Sequence, residues 1–356
     1  MQLPIDIGAV LKAAFAVDEA RQAPLSVSVY IDDSAPGDLQ AHVRQAFASS
    51  SPSARVALTY LDGCSFEPFP GDDMAVIVAG LNDRVGCCAA SLRQAGVPVM
   101  VATTLPTIVA DLATATGYAI PDGDVVAPER LSSPLSFGQG APEPVEVPAE
   151  RDEPVAFTEE AAALLDERMG GWILDACSEK RLSFALAFPF VRRPLSMEEI
   201  ETTAMQNAAV GFLPIIPGAD LPVMTLNQAK MVLSIAAAYD EELGVERVKE
   251  LVAVVAGGLA CRKVVRSIGL NVPVVGWAVK AAVGYAGTVS MGRAALAYYE
   301  HDGSFASLAE ALLHARDGAI AQAAQAAFSR AQDVASDAWR RANEYAAARA
   351  NGEASR

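Results

Sequence analysis

The chain has 356 residues, of which 52% are hydrophobic, 6% aromatic and 20% charged, with a formal net charge of −16. That is too long for one ordinary domain and apolar enough to exclude disorder over most of its length. It is also too acidic for general nucleic-acid binding, which needs a basic surface. The five cysteines (Cys64, Cys87, Cys88, Cys177 and Cys261) include no CxxC pair, so neither a disulfide framework nor a zinc site is expected.

In chain order, Ile7, Val10, Leu11, Ala14 and Phe15 form an apolar stripe at helical spacing within residues 4–21. This segment carries Asp6 and lacks a basic start and a small-residue cleavage site, so it does not read as a signal peptide. An α/β rhythm follows. Leu25–Ile31, Arg55–Leu61, Met74–Val78 and Val97–Ala102 read as strands, and Asp38–Ala48, Asp83–Gln94 and 106–116 as helices. Short β-branched runs alternating with helices predict a parallel sheet covered on both faces: a small Rossmann-like or flavodoxin-like domain over residues 1–126.

Such sheets bind ligands at the carboxyl ends of their strands. Asp32-Asp33-Ser34-Ala35-Pro36-Gly37 follows the first strand, and Thr103-Thr104-Leu105-Pro106 follows the fourth. Neither GxGxxG nor GxxxxGK[ST] occurs, and the guanine-reading Asn-Lys-x-Asp is absent, so the domain lacks nucleotide motifs. Asp32 and Asp33, with Asp62 after the second strand, could hold magnesium, but solvated capping loops are the stronger reading. His42 and His314 each have an acid four residues earlier, Asp38 and Glu310, and His301 has only Asp302 beside it. Two ligands do not make a metal site or a triad. No cofactor is expected.

Residues 127–157 are punctuated by Pro128, Pro134, Pro142, Pro144, Pro148 and Pro154 and predict an extended linker. Residues 158–303 then read as a helical domain. Thr158 precedes an acid-led helix, and Ser196-Met197-Glu198-Glu199 reads as a capping box that starts another, with Leu195 and Ile200 as its staple. Residues 304–356 predict an alanine-rich helix that packs on the bundle or on a second subunit.

Two features of residues 200–302 carry information. Phe212-Leu213-Pro214-Ile215-Ile216-Pro217-Gly218-Ala219-Asp220 is a proline-broken turn before the helix Thr225–Tyr239. Asp220 reads as a helix cap or as a buried functional acid. The stretch Ser267–Gly292 has Lys280 as its one formal charge and is long enough for a membrane span, with Arg262, Lys263 and Arg266 flanking it. Gly276, Lys280, Gly284, Thr288 and Gly292 recur every four residues, a small-residue stripe that lets another helix approach closely. A soluble bundle of Ala/Gly-rich helices fits the same composition. The basic residues suit an anionic lipid surface, a protein partner or a solvated helix face.

The runs PIIPGADLPVMTLNQAKMVLSIAAAY, LVAVVAGGLACRKVVRSIG and VPVVGWAVKAAVGYAGTVSMGRAALAYY resemble the YcjF-type domain of unknown function, over residues 200–302. The resemblance implies a bacterial helical domain without established enzymatic activity, often membrane-associated and often fused to or encoded beside Era-like GTPases. The expectation is therefore a non-enzymatic, membrane-associated adaptor or scaffold that partners a protein such as a GTPase and binds no nucleic acid. Its place would be the bacterial inner membrane, on the cytoplasmic side. The alternative is a soluble cytoplasmic regulatory protein that binds a small anion or nucleotide through the α/β domain, near Ser34 and Thr103.

Overall fold

The computed structural model describes residues 7–61, 66–128, 154–212, 220–243 and 273–300. The chain divides into two compact units, Asp18–Leu195 with Ala238–Asp240, and Met1–Val17 with Ser196–Ala237 and Glu241–Arg356. Helix α1 (Ile7–Arg21) leads into the first of them.

This first unit is an α/β domain with a Rossmann-like parallel sheet. Strands β1 (Leu25–Ile31), β2 (Ala54–Tyr60), β3 (Met74–Val78), β4 (Val99–Ala102) and β5 (Val125–Val126) lie in the order β2-β1-β3-β4-β5, all parallel. Every residue of β3 and β4 is buried, because helices cover both faces there. Alternation sorts the side chains. Leu25, Val27, Val29 and Ile31 join Met74, Val76, Val78 and Met100 on one face, under α2 (Gly37–Ala46), α5 (Glu159–Ala176) and α6 (Arg181–Ala187). Tyr30, Ala75, Ile77, Val99 and Val101 line the other, under α3 (Val85–Gln94) and α4 (Pro106–Ala115). Each Val, Leu, Ile or Met side chain among them contributes about 1.5–3 kcal/mol by its burial. Helices α3 and α4 stop at Gly96 (φ 80°) and Gly117 (φ 83°), where Val97 N–H bonds Leu92 O and Tyr118 N–H bonds Ala113 O to close the last turn.

The helices after the proline-rich stretch thus belong in part to the sheet's own core: Leu165, Met169 and Ile173 of α5 and Phe184 and Phe188 next to it are fully buried there. Thr158 caps α5 as its sequence predicts, its Oγ1 accepting from Ala161 N–H at 3.2 Å. Most of the expected linker, residues 129–153, and the expected C-terminal helix lie outside the described residues, as does the run LVAVVAGGLACRKVVRSIG.

The capping box at Ser196 does not start a helix. Helix α7 runs from Pro189 to Phe212 and passes through Ser196, which is fully buried. Pro189 supplies the preorganised first position, and Pro194, inside the helix, cannot donate to the Phe190 carbonyl. Gly170 of α5 lies against both: a Cβ there would stand 3.2 Å from Phe190 O and 2.7 Å from Pro194 Cγ. Packing tolerates the interior proline that local signals treat as a boundary.

In the second unit, α7 continues beside α8 (Asp220–Ala238) and α9 (Pro273–Glu300). A Cβ on Gly284 would meet Met224 Cε and the Asn207 carbonyl oxygen, and one on Gly292 would meet Ile200. Asn207 is fully buried, donates from Nδ2 to Thr288 Oγ1 at 2.9 Å and accepts from Asn227 Nδ2 at 3.0 Å, while Gln228 Nε2 reaches Thr288 Oγ1 at 3.1 Å. A satisfied amide–hydroxyl network of this kind fixes register, since sliding any one helix strands several buried polar groups. Gly284→Leu should overpack this contact and lower stability by about 1–3 kcal/mol, read as a fall in the thermal midpoint against Ala281→Leu on the same helix. An unchanged midpoint would show that the helices are not in close contact at this position.

Candidate functional site

In a sheet of order 2-1-3-4-5 the ligand crevice opens where β1 and β3 diverge at their carboxyl ends. Asp32 ends β1 at this point and is 2% exposed. Its Oδ1 accepts the Ser34 N–H at 3.0 Å, and its Oδ2 accepts the Ser34 hydroxyl at 2.7 Å and the Gly80 N–H at 2.8 Å. A longer contact of 3.4 Å comes from the Asn82 N–H. Ser34 Oγ in turn accepts the Leu81 N–H at 2.7 Å. Gly80 is required here, because a Cβ at that position would land on the Ser34 carbonyl group and the Ala35 nitrogen.

Converging backbone N–H groups at a strand end are what a phosphate binds in nucleotide-binding proteins with open parallel sheets. Here the chain supplies its own anion, and the two loops close over it. The end of β4 is covered as well: Val155 N–H donates to Thr104 O at 2.9 Å, Thr103 Oγ1 accepts the Leu105 N–H at 3.0 Å, and both threonines are buried. Asp33 is exposed and Asp62 lies outside the described residues. Among the described residues no three His, Cys, Asp or Glu side chains come together as a metal site.

The other sequence-selected residues fall as follows. Gly284, Thr288 and Gly292 sit in the α7–α8–α9 contacts described above, whereas Gly276 and Lys280 are placed on α9 only by their backbone. Asp220 is the first residue of α8, its side chain outside the description, and Arg262, Lys263 and Arg266 lie outside the described residues altogether. No helix of the described residues is long and apolar enough to cross a membrane. The transmembrane reading of 267–292 is corrected accordingly for its described part: Lys280, Trp277, Tyr285 and four glycines dilute the apolar character of that stretch. Nothing among the described residues supports an inner-membrane location or a GTPase association, and both expectations are withdrawn.

His42 pairs with Asp166 of α5, Nε2 to Oδ1 at 2.7 Å, rather than with Asp38 one turn earlier. Asp38 instead accepts the Leu39 N–H at 2.8 Å, and the Phe157 ring packs edge-on against His42. Burial raises the Asp166 carboxyl above its ordinary range, a shift partly opposed by His42. Sequence reading missed Asn207, Asn227 and Gln228, whose partners lie on other helices. It also missed the role of Gly80, whose need appears only once Ser34 is across from it. Comparison with family models, curated proteins and solved structures gives no match.

Asp32→Asn replaces a carboxylate acceptor by an amide whose NH2 would face N–H donors. It should cost about 2 kcal/mol, a fall of roughly 5 °C for a unit of this size; an unchanged midpoint would show that the closed loops do not depend on that charge. The Cys177 thiol is pushed up to about 12, chiefly by burial and then by Asp73. A raised thiol stays neutral in the fold while the unfolded chain ionises near 9.0, so its contribution to stability is lost as pH rises from there toward 12. Denaturant midpoints at pH 8 and pH 10.5 should therefore fall less in Cys177→Ala than in the parent, and iodoacetamide at pH 8 should spare Cys177 in the folded chain.

Proposed function

We propose that this chain is a non-enzymatic adaptor or scaffold that engages a protein partner through its α/β domain and uses no nucleotide. The observation that carries the reading is the Asp32 carboxylate, which takes up the Ser34, Gly80 and Asn82 N–H groups a bound phosphate would need. A second anion there would meet a buried like charge and already engaged donors, which is repulsive on both counts. The alternative of a small anion or nucleotide at the strand ends near Ser34 and Thr103 is disfavoured by the same geometry. The helical unit points the same way, since its buried Asn207 and Thr288 are hydrogen-bonded to each other and to the half-buried Asn227 and Gln228. The resemblance of residues 200–302 to the YcjF-type domain, a family without established enzymatic activity, agrees with this reading.

The test is a thermal-shift panel of GTP, GDP, ATP, FMN and NADH, each at about 1 mM with and without magnesium. It is paired with in-cell cross-linking and mass spectrometry. Unchanged midpoints, with cross-links from the α/β domain to one other protein species, are expected. A ligand that binds only the folded state raises its midpoint, so a shift of several degrees that disappears in Ser34→Trp would overturn the reading in favour of a strand-end ligand site.

A further inference from the structure

The sheet has two edges of very different length. At one lies β5, only two residues long and too short to template a further strand. At the other lies β2, seven residues long, with β1 as its only neighbour among the described strands. The phase of the ladder tells which backbone groups of β2 are used. Ser53 O accepts the Leu25 N–H at 2.9 Å, and at the far end the Leu61 N–H donates to Ile31 O at 2.8 Å, so residues 53, 55, 57, 59 and 61 face β1. Ala54, Val56, Leu58 and Tyr60 turn their N–H and C=O groups the other way. The Ala54 N–H returns to Ser51 O at 3.2 Å, whereas those of Val56, Leu58 and Tyr60 meet no acceptor among the described residues.

A long edge is ordinarily blunted by charges, a proline or a covering element. Among the described residues β2 has none of these. The run Ala54–Tyr60 holds no acid and no proline, and its one charge, Arg55, lies on the face opposite Leu58 and Tyr60 and is paired with Asp72 at 3.1 Å. Leu58 and Tyr60 lie on the face that α2 covers, yet they are 45% and 44% exposed. Helix α2 borders them: its Arg44 donates from Nη1 to the Tyr60 hydroxyl at 3.2 Å. The open edge is thus a row of unused backbone donors and acceptors beside two exposed apolar side chains.

We propose that β2 pairs antiparallel with β2 of a second copy of this chain, across a two-fold axis at Leu58, and so joins two five-stranded sheets into one. Self-complementarity selects the copy, since among the described strands only β2 offers such an edge. The two-fold sets Leu58 against the partner's Leu58 and Tyr60 against the partner's Val56, an aromatic beside a β-branched side chain. Each opposed pair exchanges both of its N–H···O bonds. In a chain of net charge −16 the paired strands bring no acid together. The two Tyr60–Arg44 contacts fall on opposite sides of the axis, about 14 Å apart along the strands and beyond a screening length of about 8 Å. An edge about 23 Å long and, with α2, roughly 20 Å deep buries on the order of 900 Å² in total, short of the ~1,200 Å² of stable complexes. The dimer is therefore reversible, with a dissociation constant on the order of 10–100 µM. It is independent of the adaptor reading.

Sedimentation velocity of the full chain from about 1 to 200 µM, with hydrogen exchange read in β2, tests it. The mass should rise from one chain toward two, and exchange at Val56, Leu58 and Tyr60 should slow as concentration rises. Raising NaCl from about 0.05 to 0.5 M should favour the dimer, because salt screens the repulsion between two acidic copies. Leu58→Pro removes an N–H that the β1–β2 ladder does not use, and Leu58→Lys sets like charges face to face on the axis. Each should weaken pairing about tenfold or more, and either one serves if the other loses its cooperative melt. Leu58→Ala keeps the N–H and should weaken pairing less than Leu58→Pro does. A chain still monomeric at about 200 µM, a dimer that the folded variants leave intact, or equal losses in Leu58→Ala and Leu58→Pro would overturn the proposal. So would β2 amides protected only when a different protein is bound, which would assign the edge to a heterologous strand.

Discussion

The ends of β1 and β3 are held together by one buried carboxylate. Asp32 gathers donors from two loops more than forty residues apart in sequence, and the direct backbone approach of Gly80 to Ser34 exists because those donors converge on it. Leu39 and Val43 of α2, and Val85 of α3, are presented to opposite faces of the sheet immediately beyond these loops. The crevice where this sheet order ordinarily takes a ligand is thereby converted into a structural joint. An architecture associated with nucleotides becomes compatible with a chain that carries none of their motifs.

The two faces of the sheet are finished differently, and the difference follows from the connections. On one face α2, α5 and α6 pack a continuous core in which Phe47 stands 5.1 Å from Phe188 and 5.2 Å from Phe190. On the other, α3 and α4 cover β3 and β4 but leave β2 to the connection that joins it to β3, which holds no helix among its described residues. Arg55 and Thr59 of β2, which share that face, are accordingly exposed where every residue of β3 is buried. A helix in the β2–β3 connection would have covered them with its own side chains. A connection anchored by Asp72 and Asp73 does not.

Much of the α/β fold was legible because its signals are local and periodic. LSVSVYI reads as a strand and MAVIV and VPVMVA as buried strands, and each begins and ends within two residues of where its pattern says. Legibility failed where a partner distant in sequence decided the outcome. Ser196-Met197-Glu198-Glu199 has every local mark of a helix start, yet α7 passes through it, because Gly170 makes room for Pro194. His42 was read against Asp38 on its own helix, and its partner is 124 residues away. The Asp32-Asp33 pair looked like one acidic loop, but burial separates a structural anion from a solvated one.

Inheritance at the β1–β3 joint is constrained jointly rather than site by site. Positions 32, 34 and 80 form one unit: a side chain at 80 requires the 32–35 loop to have moved, and a moved loop gives up the donors that make a buried acid at 32 tolerable. Descendants of this sequence should therefore keep the acid, the hydroxyl and the glycine together or lose them together. A lineage that had lost all three would have reopened the crevice and, with it, the possibility of a ligand there.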